Sequence, residues 1–157
     1  MGVGIADTTG PVVEVPLTGW KMGTGLLQRC RARAFVWRDP NTATVVEFAS
    51  VDAGRSSQLV TDMVVKKLNN EEKLKGIFSI KNVLISITHS HSAVGAFETG
   101  LMGLPMGGVD ESALNAIVDG TYLAIKRAYD NLQPAATRLV KGRLEGASIN
   151  RSPSAYK

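Results

Sequence analysis

The chain holds a single cysteine, Cys30, and only two histidines in 157 residues. One thiol excludes an internal disulfide framework, and with no base beside it in the sequence Cys30 reads as a small buried apolar residue, not a reactive group. No apolar run reaches the roughly 18 to 20 residues that a membrane-spanning helix needs. The opening Met1-Gly2-Val3-Gly4-Ile5-Ala6-Asp7 lacks the basic and apolar regions of a secretory signal, and Ala6 breaks the myristoylation pattern that Met1-Gly2 begins. There is no internal repeat and no low-complexity tract. Aromatic residues make up 6% of the chain, and none interleaves with its densest basic stretch, Gln28-Arg29-Cys30-Arg31-Ala32-Arg33. The net charge of +4 is compatible with acidic partners. Period-2 alternation nevertheless puts Arg29, Arg31 and Arg33 on one side and Cys30, Ala32 and Ala34 on the other, as in a strand with one solvated face. Without a stacking platform or recognition motif, no nucleic-acid partner is expected.

What is present is a globular composition, 44% hydrophobic, long enough to bury a core. Val3 to Thr8 reads as a first strand, followed by a loop through Pro16, Gly19, Trp20, Gly23 and Gly25. Arg31 to Arg38 and Thr44 to Val51 read as a hairpin joined at Asp39-Pro40-Asn41. Ser56 or Ser57 caps a helix running to about Asn69, with Leu59, Val60, Met63, Val64 and Leu68 on its apolar face. Val83 to Thr88 is almost continuously apolar, which predicts a strand buried on both faces. Asp110 or Ser112 starts a second helix, with Leu114, Ile117, Val118, Thr121, Ile125, Ala128, Tyr129 and Leu132 on one face and Pro134 past its end. Thr137 to Ser148 reads as a further strand. The alternation of strands and helices predicts an α/β fold, a mixed sheet with packed helices. The polar, turn-like end from Ala147 to Lys157 reads as a frayed tail. Within it, Asn150-Arg151-Ser152 fits a glycosylation acceptor that Pro153 disfavours.

Both histidines fall in Ile85-Ser86-Ile87-Thr88-His89-Ser90-His91-Ser92, where a β-branched run leaves for a Gly-rich loop. In an extended strand residues rise about 3.3 Å each and side chains alternate, so His89 and His91 project from one face and their rings can converge. Imidazole is the commonest protein metal ligand, and the pair can supply two zinc ligands or one ligand and one acid/base group. The rings can equally pack against the strand, bonded to carbonyls or to the hydroxyls of Thr88, Ser90 and Ser92. Two imidazoles do not complete a metal site. Asp52 and Glu98 are the acids such a site would recruit locally, and their spacing lends no support.

Taken together, Thr88-His89-Ser90-His91-Ser92, Ile149-Asn150-Arg151-Ser152-Pro153-Ser154-Ala155-Tyr156 and Gly2-Val3-Gly4-Ile5-Ala6-Asp7-Thr8-Thr9-Gly10-Pro11 resemble the neutral ceramidase family in order and spacing. The resemblance extends through Arg33-Ala34-Phe35, Val45 to Asp52, Asn82 to Ser86 and Ala116 to Gly120, and covers essentially the whole chain. It implies a zinc-dependent amidase that cleaves the N-acyl bond of ceramide to sphingosine and a fatty acid. Residues 1–157 would then be the amino-terminal part of the catalytic domain, an incomplete portion with no second domain. The resemblance further implies that His89 binds zinc, that His91 lies beside the metal in the substrate pocket, and that Arg151 lines that pocket and contributes to catalysis. It implies ceramide as substrate, contact with a membrane surface through that substrate, and an extracellular or secretory-pathway location. The family's other zinc ligands, a His, a Glu and a Tyr, would lie past Lys157. The chain departs from the family at Ile87, where Gly is usual, at Ala93-Val94-Gly95-Ala96, where Gly-Pro-Gly-Gly is usual, and in a shorter Trp20 to Gly25 loop without the usual Gln. Loss of glycine restricts the backbone around the histidines. The alternative expectation is a non-catalytic truncated remnant that binds lipid or a partner.

Overall fold

Small residues on the inward face of the first and fourth strands, and larger ones on their outward face, set how closely the layers pack in this computed structural model, which describes residues 1–19, 21–101, 103–104, 108–147, 149 and 152–156. The strands are β1 (Gly2–Asp7), β2 (Val13–Pro16), β3 (Met22–Thr24), β4 (Arg31–Arg38), β5 (Val45–Val51) and β6 (Val83–Ile87). The helices are α1 (Gln58–Asn70) and α2 (Glu111–Asp130), and a 3-10 turn spans Pro153–Tyr156. The main sheet runs β1-β4-β5-β6, antiparallel except for the parallel β5–β6 pair that α1 connects. This is the expected mixed sheet with packed helices, and β4–β5 is the expected hairpin. The loop expected after the first strand instead contains a two-stranded ribbon, β2 with β3. Period-2 reading missed it because the pairing is irregular between Val13 and Pro16.

The inner face carries Gly2, Gly4, Ala6, Ala32, Ala34, Val36, Ala49 and Val51, all buried. With so little side chain there, α2 settles directly onto β1. A Cβ on Gly4 would stand 2.1 Å from the Ala124 carbonyl oxygen. Leu114, Ile117, Val118, Ala124, Ile125 and Ala128 of α2 and Val60, Val64 and Leu68 of α1 close the core. Each fully buried Val, Leu or Ile contributes about 1.5–3 kcal/mol. Asp110 caps α2 by accepting a hydrogen bond from the Ala113 N–H at 2.8 Å. Ser57 holds the corresponding place before α1 but makes no side-chain cap bond. Arg127 Nη1 of α2 donates to the Ile5 carbonyl at 2.6 Å, and Nδ2 of Asn131, the residue that caps the helix end, donates to the Val3 carbonyl at 3.1 Å, so the outer edge of β1 is occupied by side chains.

Two expectations about strands are corrected. β6 is an edge strand with one open face: Leu84 is 60% exposed, and Ser86 is exposed beside it. Its unbroken apolar run arises because Ile85 and Ile87 face the core while nothing among the described residues covers Leu84. Residues 137–147 form no strand, because no strand among the described residues pairs with their backbone; Ser148 lies outside those residues. This segment leaves α2 past hydrogen bonds from the Met1 ammonium to the Gln133 carbonyl, 2.8 Å, and from Trp37 Nε1 to Thr137 Oγ1, 3.2 Å, and exposes Leu139, Val140 and Leu144.

Candidate functional site

The parallel pairing of β5 and β6 continues past their ends. Thr88 N–H donates to the Val51 carbonyl and Ser90 N–H to the Ala53 carbonyl, each at 3.0 Å. The histidines therefore stand at the carboxyl end of parallel strands, where the loops of α/β sheets carry ligands. Extended geometry stops at His89, whose φ is +58°. That left-handed conformation costs a residue with a side chain roughly 1–2 kcal/mol, and it turns the chain so that the Nε2 atoms of His89 and His91 come within 3.0 Å of each other. Their ring centroids are 4.8 Å apart at 63°. The rings converge as expected, but through a turn and not through strand alternation.

A second wall holds this loop from the other side. Thr18 N–H donates to the Ala93 carbonyl at 3.1 Å, Gly19 N–H to the His91 carbonyl at 3.3 Å and Gly95 N–H to the Pro16 carbonyl at 2.7 Å. The two walls touch where Thr18 packs on Gly54; a Cβ at residue 54 would fall 1.9 Å from Thr18 Cγ2. The side chains of the loop then divide between two spaces. His89 and His91 line a cavity of about 220 Å³ with Thr18, Gly19 and Arg55. Thr88, Ser90 and Ser92 line a separate cleft of about 570 Å³, together with Leu17, Met22, Leu26, Arg29, Cys30 and Arg33 among others.

The local acids have other engagements. Asp52 accepts from Arg33 Nη1 with both carboxylate oxygens at 3.1 Å, from the Arg31 N–H at 3.0 Å and from Thr88 Oγ1 at 3.5 Å, so it ties the start of the histidine loop to β4. Glu98 shares a shallow cavity with His89, but its Oε2 lies 3.7 Å from Arg55 Nη1. Among the described residues no three His, Cys, Asp or Glu side chains gather as a metal-binding group. Two converging imidazoles have the donor chemistry zinc accepts, and closing a site takes further ligands. Arg151 lies outside the described residues, as do Trp20 and Asn150.

Cys30 is half-buried, where a buried residue was expected. It stands on the cleft wall, and burial pushes its thiol up, with the carboxylates of Asp52 and Asp7 adding to the shift. A thiol raised above 9.0 stays protonated at neutral pH and is a poor nucleophile. Arg55 was not anticipated. Its only signal in the sequence is its place just after Asp52-Ala53-Gly54, the punctuation that ends β5.

The family model described as neutral/alkaline non-lysosomal ceramidase, N-terminal, matches residues 1–157. Neutral ceramidase 3 of Arabidopsis thaliana is 38% identical over 162 residues, covering 99% of this chain and 22% of that protein. The neutral ceramidase of Drosophila melanogaster is also 38% identical, over 161 residues with the same coverages of 99% and 22%. A solved structure of a ceramidase complexed with C2 superposes with a TM-score of 0.84 at 32% identity, over 99% of this chain and 25% of that one. The chain thus spans about a fifth of the length of the curated relatives it matches.

Proposed function

Because the chain belongs to the neutral/alkaline non-lysosomal ceramidase family, we propose that it forms the amino-terminal part of the catalytic domain of a zinc-dependent amidohydrolase, one that cleaves the N-acyl bond of ceramide. In this reading His89 supplies one zinc ligand, and polypeptide outside these 157 residues supplies the rest. The observation that carries it is the convergence of the His89 and His91 Nε2 atoms, 3.0 Å apart, in one cavity of a chain similar to the family from end to end. When bound, zinc would lower the pKa of a water towards about 7 and polarise the amide carbonyl.

The remaining roles belong to side chains. His91 is close enough to the ligand imidazole to move a proton at its Nε2 or to donate to the developing oxyanion. Arg55 adds a fixed positive charge to the same cavity, steadied by Glu98, and favours an oxygen that gains negative charge. Arg151 takes, in this reading, the pocket role that the resemblance implies, in which its guanidinium would hold the polar head of the substrate.

The test uses a family-length protein carrying these residues, assayed for zinc content and ceramide hydrolysis. His89→Ala should lose zinc and reduce hydrolysis by at least about a thousandfold. His91→Ala should keep zinc and lose about a hundredfold in kcat. Robust hydrolysis with zinc retained after His89→Ala would sink the assignment. The 157 residues alone should show no hydrolysis, since no three His, Cys, Asp or Glu side chains among those described gather to hold the metal.

A further inference from the structure

We propose that the turn joining β3 to β4 is a membrane-docking element, with Leu26 and Leu27 entering the headgroup region of an anionic lipid surface. The purpose of the contact rests on the ceramide-hydrolase reading above, whereas the contact itself can be measured without it.

Leu27 is 102% exposed, Met22 55% and Leu26 46%. A single exposed leucine on a protein surface is ordinary, but three large apolar side chains on the lining of one cleft, Met22 at the start of β3 and Leu26 and Leu27 just past its end, form a patch that water solvates poorly. A Cβ added at Gly25 would meet nothing within 4 Å, so the turn has open space around it. The charge of the surrounding chain has one sign. Between Glu14 and Asp39 there is no acidic residue, while Lys21, Arg29, Arg31, Arg33 and Arg38 all lie there. Arg33 is committed to Asp52, and Arg29 lies 3.4 Å from Asp7 with its side chain still 60% exposed. Lys21 and Arg31 are exposed. Apolar side chains that bury in the acyl boundary, flanked by cations that meet lipid phosphates and carboxylates, are the combination by which proteins lie on an anionic membrane.

Position gives the contact a use. Leu26, Leu27 and Met22 also line the cleft of about 570 Å³ that Thr88, Ser90 and Ser92 line as well. A lipid surface engaged by the leucines would therefore open onto the back of the histidine loop. An amphiphile leaving the bilayer would pass from an apolar rim to hydroxyls without crossing bulk water.

The measurement is co-sedimentation of the purified chain with phosphatidylcholine vesicles containing about 30% phosphatidylserine, beside vesicles of phosphatidylcholine alone. The wild-type chain should favour the anionic vesicles and lose binding as salt rises. Leu26→Asp with Leu27→Asp should weaken binding at least about tenfold while leaving the circular dichroism spectrum unchanged, since both side chains are outside the core. Lys21→Glu should weaken binding to anionic vesicles only. Leu84→Asp, on the outer sheet face, should bind like wild type. The proposal is overturned if the double aspartate chain binds undiminished, or if Leu84→Asp loses as much. It is overturned too if the leucines alter only self-association in sedimentation velocity, which would assign them to a second copy. The two readings separate: His89→Ala should bind vesicles as wild type does, and failure of the wild-type chain to dock, beside zinc-dependent hydrolysis by the family-length protein, would remove only the membrane contact.

Discussion

Glu47 lies on the helix-covered face of β5, in line with Val45 and Ala49, and is completely buried. No hydrogen bond of sound geometry reaches its carboxylate oxygens among the described residues. Burial pushes its pKa from 4.5 up to about 8, against a weaker pull from the Leu84 backbone. The fold therefore favours the neutral acid. Its contribution is fully present below the unfolded pKa of 4.5 and is lost as pH rises through about 8. Across that window the folded state holds one proton that the unfolded state has released, so stability should fall as pH rises. Glu47→Gln keeps the shape and removes the proton. Denaturant titrations from pH 5 to 9 should show this pH dependence flattened in Glu47→Gln, with the variant more stable than wild type at the alkaline end. A wild-type slope that survives the substitution would place the titrating group elsewhere. Glu47 is invisible to sequence reasoning, because in an alternating strand a Glu marks the solvated face. The convergence of His89 with His91 was legible from their spacing, but the left-handed backbone at His89 was not, since Ile87 and Ala93 stand where glycines would have signalled a turn.

Among the elements, the closest packing is that of β1 against α2, and it depends on the missing side chains of Gly2 and Gly4. A Cβ on Gly4 would come 2.1 Å from the Ala124 oxygen and 2.5 Å from the Ala128 nitrogen, both backbone atoms of a rigid helix. Neither can swing aside as a side-chain tip would, so strand and helix must separate. Gly4→Ala should cost about 3 kcal/mol and lower Tm by roughly 10 °C. Gly142→Ala, with nothing within 4 Å of the added methyl, should leave Tm nearly unchanged. Equal melting of the two variants would show that the strand and helix have slack between them. Glycines in the sequence read as loop formers around the histidines; that these ones set an interlayer distance follows only from the register of β1 on α2. Helices and the β4–β5 hairpin were legible because each has a long period and a turn signal. β6 was misread because a fully apolar run does not say which of its faces another layer will cover. Residues 137–147 were misread because alternation states a preference for pairing and cannot supply the partner.

For the molecule as a whole, the outer face of the sheet decides behaviour in solution. Register places Val3, Phe35, Phe48 and Leu84 in one row across all four strands, with Phe35 stacked against both Phe48 and Trp37. Val3 and Leu84 are exposed. The next row, Ile5, Arg33, Ser50 and Ser86, is mostly polar. One end of the face is therefore apolar, and the other grades into the cleft. Such a surface should bind anilinonaphthalene sulfonate in the folded state. Val46→Lys with Leu84→Lys should cut that fluorescence by at least about twofold without loss of the circular dichroism signal. Unchanged fluorescence would locate the dye elsewhere. The face was legible only strand by strand; that four half-apolar strands align their large residues in one row is a property of register.

The side chains of Arg127 and Asn131 on the carbonyls of Ile5 and Val3 have one more consequence. They close one border of the sheet to hydrogen bonding, while no strand among the described residues pairs with the far side of β6. Growth of the sheet is then one-sided. Any strand that joins it does so next to β6, and its end would abut the loop that carries both histidines.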